Sequence, residues 1–244
     1  GWKGIFIVLL ILGVLLLFSN LHFKESLSVD NRKRGNLKSL VSSFGIVLKN
    51  RRYVYYVLQM GFAMGVLFAN ISSSPFIVQQ HYGFSAFEFS LFFGINALAI
   101  GLAAGLSVKF KNPEHAMFLG SVGMTMMSAV EFVILSNEYH FAVYEAVLFV
   151  LLFSMGLTFT ASTTLAMDCE RANSGTASAL FGAAGFAFGG IVSPLVGLGD
   201  ILSTTGLIFF VCSVCSLCFS VLAMNQTHTN LWGSFKCKMG PVTR

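Results

Sequence analysis

The residues whose types could do chemistry here are mostly neutral polar side chains set well inside long apolar runs: Gln59, Asn70, Asn96, Thr125, Ser154, Thr158 and Thr163. An amide or hydroxyl in an apolar medium must find a partner or line water, because leaving it unpaired costs roughly 2–7 kcal/mol. Asn96 is the sharpest case, and it reads either as helix-to-helix glue or as part of a wet path. Two acids, Glu131 and Glu145, sit about one helical turn from the ends of their runs and are expected to reach the membrane interface. No Lys or Arg lies in the middle of a run.

Other reactive residue types lack the company that chemistry needs. Cys212, Cys215 and Cys218 share a helical stripe, but a metal site would require ionised thiolates and partners such as His, which the stripe lacks. They read as small apolar residues, and neither a metal, a cofactor nor a disulfide is expected. Asp168-Cys169-Glu170-Arg171 reads as a helix terminator, and His81 and His140 stand in connections with nothing arranged around them. Without a phosphate loop, a zinc motif or a catalytic constellation, no enzyme activity is expected.

The elements that must position these side chains are membrane spans. The chain has 244 residues, of which 55% are hydrophobic and 10% charged, with a mean hydropathy of +0.78. A soluble domain carries about 25% charged residues. Seven windows supply the roughly 20 apolar residues that a bilayer-crossing helix needs: 4–22, 53–75, 86–108, 115–136, 141–167, 175–198 and 203–224. None shows the short alternating segments of an outer-membrane barrel, so the expected fold is an all-α membrane protein with seven transmembrane helices. The first window lacks a small-x-small cleavage site and reads as a true span rather than a signal peptide. With so little ahead of it and no initiator Met, the chain is expected to be a piece of something longer. Ser74-Pro75 and Ser193-Pro194 are expected to end the helical register of their spans.

Charge sets the orientation. Of the 15 Lys and Arg residues, all except Lys3 fall on one side of this topology. Basic residues stay in the cytoplasm, so the carboxyl terminus and the long basic connection face inward, in a cell (inner) membrane. Within that connection, Leu37, Leu40, Val41, Phe44, Val47 and Leu48 recur at helical spacing behind a candidate cap, Asn36, and suggest an amphipathic helix on the inner membrane face. The expected organisation is a transmembrane helix at 1–23, a basic cytoplasmic loop at 24–52, a six-helix bundle at 53–224 and a cytoplasmic tail at 225–244. The basic charge is explained by the lipid bilayer and requires no nucleic acid.

Small residues recur at close-packing intervals: Gly61 with Gly65, Gly101 with Gly105, and Ser178, Gly182, Gly185 and Gly189 along one span. They are expected to let helix backbones approach. The density of the last group also suits a helix that slides or bends against its neighbours. With 10 Met and 26 Phe, the spans could also offer an adaptable lining to greasy ligands.

Four stretches together resemble the carboxyl-terminal portion of a major facilitator superfamily transporter, and more narrowly the bicyclomycin/chloramphenicol-resistance branch of the drug:proton antiporters. Gly1-Trp2-Lys3-Gly4-Ile5-Phe6, continuing to Lys24-Glu25-Ser26-Leu27, resembles that family's sixth helix. Phe68-Ala69-Asn70-Ile71-Ser72-Ser73-Ser74-Pro75-Phe76-Ile77-Val78-Gln79 with Tyr82-Gly83-Phe84-Ser85 is similar to its seventh helix and outer loop. Phe92-Phe93-Gly94-Ile95-Asn96-Ala97 resembles its eighth, and Ser174 to Gly182 through Ser193-Pro194-Leu195-Val196-Gly197 its eleventh. The connection Lys109-Phe110-Lys111-Asn112-Pro113-Glu114 departs from the Gly-Arg-rich signature often found there.

The resemblance implies a partial major-facilitator fold: the last helix of the amino half plus the six-helix carboxyl half. It implies proton-coupled efflux of drug-like amphipathic molecules by alternating access, together with an amino-terminal half that would hold the main proton-titrating acids. It also implies that Gln59, Asn70, Asn96, Ser154, Thr158, Ser178 and Phe181 line the substrate path, and that Glu131 sits on a peripheral helix. Two alternatives remain open: a seven-helix membrane receptor, for which a retinal protein's Lys is missing from 203–224, and an inactive truncated remnant.

Overall fold

The computed structural model describes residues 2–22 and 37–238. The chain divides into two compact units, Gly1–Ser39 and Leu40–Arg244. The first contains α1 (Trp2–Leu21), which is apolar on every side. Near its end the Phe18 carbonyl, one of the four without an intrahelical partner, lies 2.8 Å from His22 Nδ1, while Ser19 Oγ bonds back to Leu15 O at 2.9 Å. Helix α2 (Leu37–Leu48) begins at the boundary between the units.

The second unit contains α3 (Arg51–Pro75), α4 (Ala86–Ser107), α5 (Pro113–Ser136), α6 (Phe141–Cys169), α7 (Ser174–Leu195) and α8 (Ile201–Lys238). A π-helical stretch, Phe76–His81, extends α3, and short 3-10 turns, Arg171–Asn173 and Val196–Leu198, flank α7. Among the described residues every element is helical, and seven helices are long and apolar enough to cross a membrane.

Local chemistry starts these helices where the sequence offers caps. Asn50 accepts from the Tyr53 N–H ahead of α3. Ser85 and Glu88 form a reciprocal capping box at α4. Asn112 caps α5, with Pro113 in the first turn where its missing N–H costs nothing. Asp200 accepts from the Ser203 N–H at 2.9 Å at the start of α8.

At both prolines the α-helical register ends at or one residue after the proline, but the chain stays helical in another form. The α-helical register of α3 ends at Pro75. The chain continues as a wider helix whose Tyr82 N–H bonds back five residues to Ile77 O at 3.0 Å, so a π turn absorbs the lost hydrogen bond. Pro194 is likewise accommodated inside α7, which ends one residue later. Helix α8 outruns its apolar stretch and reaches Lys238, because no Pro interrupts residues 225–238.

Helices α3 and α6 touch and form the centre of the bundle. Helix α5 packs on α6 and α8, α8 packs on α3 and α5, α4 flanks α6, and α7 flanks α3. Among the described helices of the second unit, none packs as an outer layer over the side spanning α4, α6, α3 and α7. One core cluster gathers Val66, Met124, Leu148, Met155 and Phe209. A second, near the basic connections, gathers Tyr53, Tyr56, Met117, Phe181 and Ala223, and Val47 of α2 is buried in it. Of the expected α2 stripe, Val47 is buried and Leu48 is exposed. Leu37, Leu40, Val41 and the cap Asn36 fall outside the residues whose side chains are described.

The glycines divide into two groups. A methyl group at Gly61 would come within 2.6 Å of the Phe188 ring; at Gly65 it would press on Cys212 and Val192, at Gly185 on Met64 and at Gly189 on Phe68. At Gly101, Gly105 and Gly182 it would meet open space. The tightest backbone approaches are at Gly120 and Gly156, which the spacing argument did not single out. A methyl group there would come within 2.6 Å of Ser154 O and 2.5 Å of Ile100 O, respectively.

Candidate functional site

Polar side chains occupy three layers along the bundle. At the basic end, α3 is tied to three neighbours. Arg52 Nη2 donates to Glu114 Oε1 at 2.8 Å, Asn50 Nδ2 donates to Glu170 Oε1 at 2.7 Å, and the Tyr53 hydroxyl donates to Ala177 O at 2.6 Å. Arg171 pairs with Asp168 across one turn, so the segment read as a helix terminator holds its own ion pair.

In the middle layer, fully buried Gln59 donates to Ser216 Oγ of α8 at 3.0 Å and accepts from Ser162 of α6. Thr158 donates back to Ser154 O and lies against Gly120 of α5, while Ser154 donates to Val150 O. Thr125 donates to Ser213 O of α8. In this conformation Gln59 and Thr125 bond between helices, Ser154 bonds back within α6, and Thr158 bonds both within α6 and to Met117 O of α5 at 3.5 Å.

The layer at the opposite end joins α3, α4 and α6. Asn96 Nδ2 donates to Glu145 Oε1 at 2.9 Å. Ser74 donates to both oxygens of Asn70, main-chain and side-chain, at 2.6 and 2.7 Å. Ser72 and Ser193 hydrogen-bond between α3 and α7. Tyr82, Phe84, Phe92, Phe141 and Tyr144 pack as an aromatic cluster above them. Burial, with Glu131 and Glu138 nearby, pushes the Tyr82 phenol up.

The acids do not behave alike. Glu145 is half-buried, whereas Glu131 is fully buried and neither of its oxygens has a hydrogen-bond partner. The expectation that Glu131 reaches the interface is therefore corrected. Distance from the helix end did not decide its exposure; the rotation of α5 turns it into the bundle.

Of the seven predicted path residues, Gln59, Asn70, Asn96, Ser154, Thr158 and Phe181 are buried among helices, and Ser178 is exposed on α7 near the open Gly182. The structure brings Gln59 to α6 and α8, and Asn96 to Glu145; it does not gather the seven into one cavity. A groove of about 410 Å³ instead lies between α3, α4 and α6, lined by Met60, Ile100, Ala104, Phe159, Thr160, Thr163 and Thr164. The sequence carried a signal for it, since Thr160, Thr163 and Thr164 recur at helical spacing on one face. A second groove, of about 500 Å³, opens nearer the opposite end between Phe92, Ile95, Phe141, Ala142, Glu145, Ala146 and Phe149.

These are spanning helices packed through glycine contacts and neutral polar pairs, with apolar grooves on their least covered side. Residues 1–194 match the pattern of the Major Facilitator Superfamily. The chain belongs to that superfamily. It is also 35% identical over 235 residues to the uncharacterized MFS-type transporter YdgK of Bacillus subtilis (strain 168). The alignment covers 94% of this chain and 58% of that relative. As a superfamily member, the chain is a multi-pass membrane protein of a transport family, and the receptor alternative falls away. The fold is a partial major-facilitator fold, and its grooves become candidate surfaces for a transported molecule.

Proposed function

We propose that this chain forms part of a proton-coupled multidrug efflux antiporter of the bicyclomycin/chloramphenicol-resistance type, exporting amphipathic small molecules by alternating access. The groove at Met60, Phe159, Thr160, Thr163 and Thr164 carries the reading. Its walls combine a pliable thioether, an aromatic ring and hydroxyls without a fixed charge, which suits varied amphipathic ligands better than a single polar one. The groove lies on the side where α4 and α7 leave Gly101, Gly105 and Gly182 open. An amino-terminal half packed there would turn the groove into a closed path between two rocking halves. Asn96, Ser178 and the other predicted polar residues would then serve the path or its helix contacts as the halves move. The basic end, with Arg51, Arg52, Lys109, Lys111 and Arg171, would face the cytoplasm of an inner membrane.

The test is expression in a drug-sensitive, pump-deficient host, alone and together with a matching amino half. Resistance and lowered drug accumulation are expected only from the pair, and a proton ionophore should abolish both. Resistance from this chain alone, resistance that survives the ionophore, or no resistance from a stably inserted pair would each count against the reading.

A further inference from the structure

The groove of about 500 Å³ between α4 and α6 contains one ionisable residue, Glu145, in a lining that is otherwise apolar. Asn96 Nδ2 donates to Glu145 Oε1 at 2.9 Å, and among the described residues no Lys, Arg or His pairs with the acid. Asn96 is 6% exposed and lies halfway along α4 (Ala86–Ser107). The carboxyl it holds is therefore level with the middle of one span, although Glu145 stands only about a turn inside α6. A carboxylate at that depth is costly without a cation beside it, and such residues mark the paths of ions or substrates.

The walls select the kind of cation. Phe149 follows Glu145 by one turn on the same face of α6, and Phe92 packs on Phe141 with ring centroids 4.7 Å apart, so rings fixed by packing stand around the acid. An aromatic face attracts a positive charge within about 6 Å of its centre. Ala142 and Ala146 present only methyl groups to the groove and leave room beside the carboxylate. A hard metal ion takes about six oxygen ligands, and among the described residues no three acids, histidines or cysteines gather to hold one. One carboxylate between aromatic walls fits instead an organic cation whose charge is surrounded by apolar groups. The ammonium of a lipid headgroup belongs at the interface, above the level of this carboxyl.

We propose that this groove binds a soluble lipophilic cation, of the quaternary ammonium or phosphonium class, with Glu145 as its counter-charge. Asn96 is a positioning residue: its N–H holds Oε1 of Glu145 and leaves Oε2 to the ligand. The threonine-lined groove contains no fixed charge, so the two grooves sort ligands by charge. Export of the bound cation rests on the efflux reading, but its binding does not.

The experiment measures binding directly. The full chain in detergent micelles is titrated by calorimetry with tetraphenylphosphonium and with uncharged triphenylphosphine oxide, and the signal of empty micelles is subtracted. The wild type is expected to bind the cation more tightly than the neutral compound. Glu145→Gln keeps an acceptor for Asn96 and should weaken the cation by about tenfold or more, but the neutral compound by no more than about twofold. Glu145→Asp should retain part of the preference for charge. Ala146→Leu fills the groove from an exposed position and should weaken both ligands. Equal loss of both ligands in Glu145→Gln, unchanged cation binding in that variant or in Ala146→Leu, or no preference for the cation in the wild type would overturn the proposal. Displacement of the cation by added phosphatidylethanolamine would overturn it in favour of a lipid headgroup, and displacement by sodium in favour of a metal ion. If Glu145→Gln fails to fold, the wild-type preference and Ala146→Leu decide the question. Failure of the efflux reading would appear in the resistance assay and leave these affinities intact.

Discussion

Arg52 and Glu114 meet at 2.8 Å at the basic end of the bundle, with Glu114 the more buried of the two and Arg52 also bonded to the Tyr56 hydroxyl at 3.1 Å. The pair ties α3, at the centre, to the start of α5. It is half-solvated, so its strength should fall between that of an exposed and that of a buried ion pair. A double-mutant cycle of Arg52→Ala and Glu114→Ala in thermal unfolding should give a coupling of about 1 kcal/mol. A coupling of zero would mean that the contact adds nothing to stability.

Gln59 joins three helices through Ser162 and Ser216, so Gln59→Leu removes a partner from two buried hydroxyls at once. Interhelical hydrogen bonds in membranes average about 0.6 kcal/mol and reach about 1.7 kcal/mol. We expect a loss near the upper figure, read from denaturant unfolding in detergent. Restoration by Gln59→Asn would show that the side chain's reach is unimportant.

The glycines predict a contrast. Gly156→Ala would drive a methyl group toward the backbone carbonyl of Ile100, and should cost about 1–3 kcal/mol. Gly101→Ala and Gly182→Ala meet open space and should stay within about 0.5 kcal/mol of wild type in this chain alone. If an amino-terminal half packs on that side, the same two substitutions should reduce transport in the assembled protein. Equal transport by wild type and both variants would argue against packing there.

Asp200 predicts an acid-dependent helix start. The Ser203 N–H holds its carboxyl below the ordinary aspartate range, so its value in the folded protein is lower than in the unfolded chain. The stabilisation is therefore complete above the ordinary value of about 3.9 and is lost as pH falls through the lowered folded value. Asp200→Ala should cost about 1 kcal/mol at neutral pH, and Asp200→Asn should keep most of the cap while flattening the acid dependence. Parallel stability-versus-pH curves for wild type and Asp200→Asn would disprove this assignment.

The groove predicts a substrate effect. Phe159→Ala and Thr163→Ala change two of its walls without touching Gln59 or Arg52. In the assembled transporter each should raise KM several-fold for bulky amphipathic drugs and leave kcat nearly unchanged, the mark of lost ground-state binding. Loss of kcat alone would place these residues outside the binding surface.

The spans were legible because membrane insertion is a one-dimensional constraint. Runs such as 86–108 and 141–167 must be long, apolar and helical, and the observed Ala86–Ser107 and Phe141–Cys169 follow them closely. The Val47 position and the pairs at Gly61, Gly65, Gly185 and Gly189 were visible for a similar reason, since one helix's periodicity shows which residues share a face. The end of the α-helical register at Pro75 was legible, but the π-helical stretch after it was not, because the sequence states that an N–H is missing, not how the next turn compensates.

What tertiary structure decided was rotation and company. The sequence puts Glu131 about a turn from its helix end, but only the packing of α5 on α6 and α8 turns that carboxyl inward. It shows Asn96 and Glu145 as separate polar residues in separate runs, and only the α4–α6 contact brings the amide to 2.9 Å from the acid. The same holds for the Thr160–Thr164 face, which becomes a groove once Met60 and Ile100 stand opposite it. Hydrophobicity and helical period belong to a segment and can be read along the chain. The partner that faces a side chain depends on how separate helices rotate and dock, and that is settled by packing between residues distant in sequence.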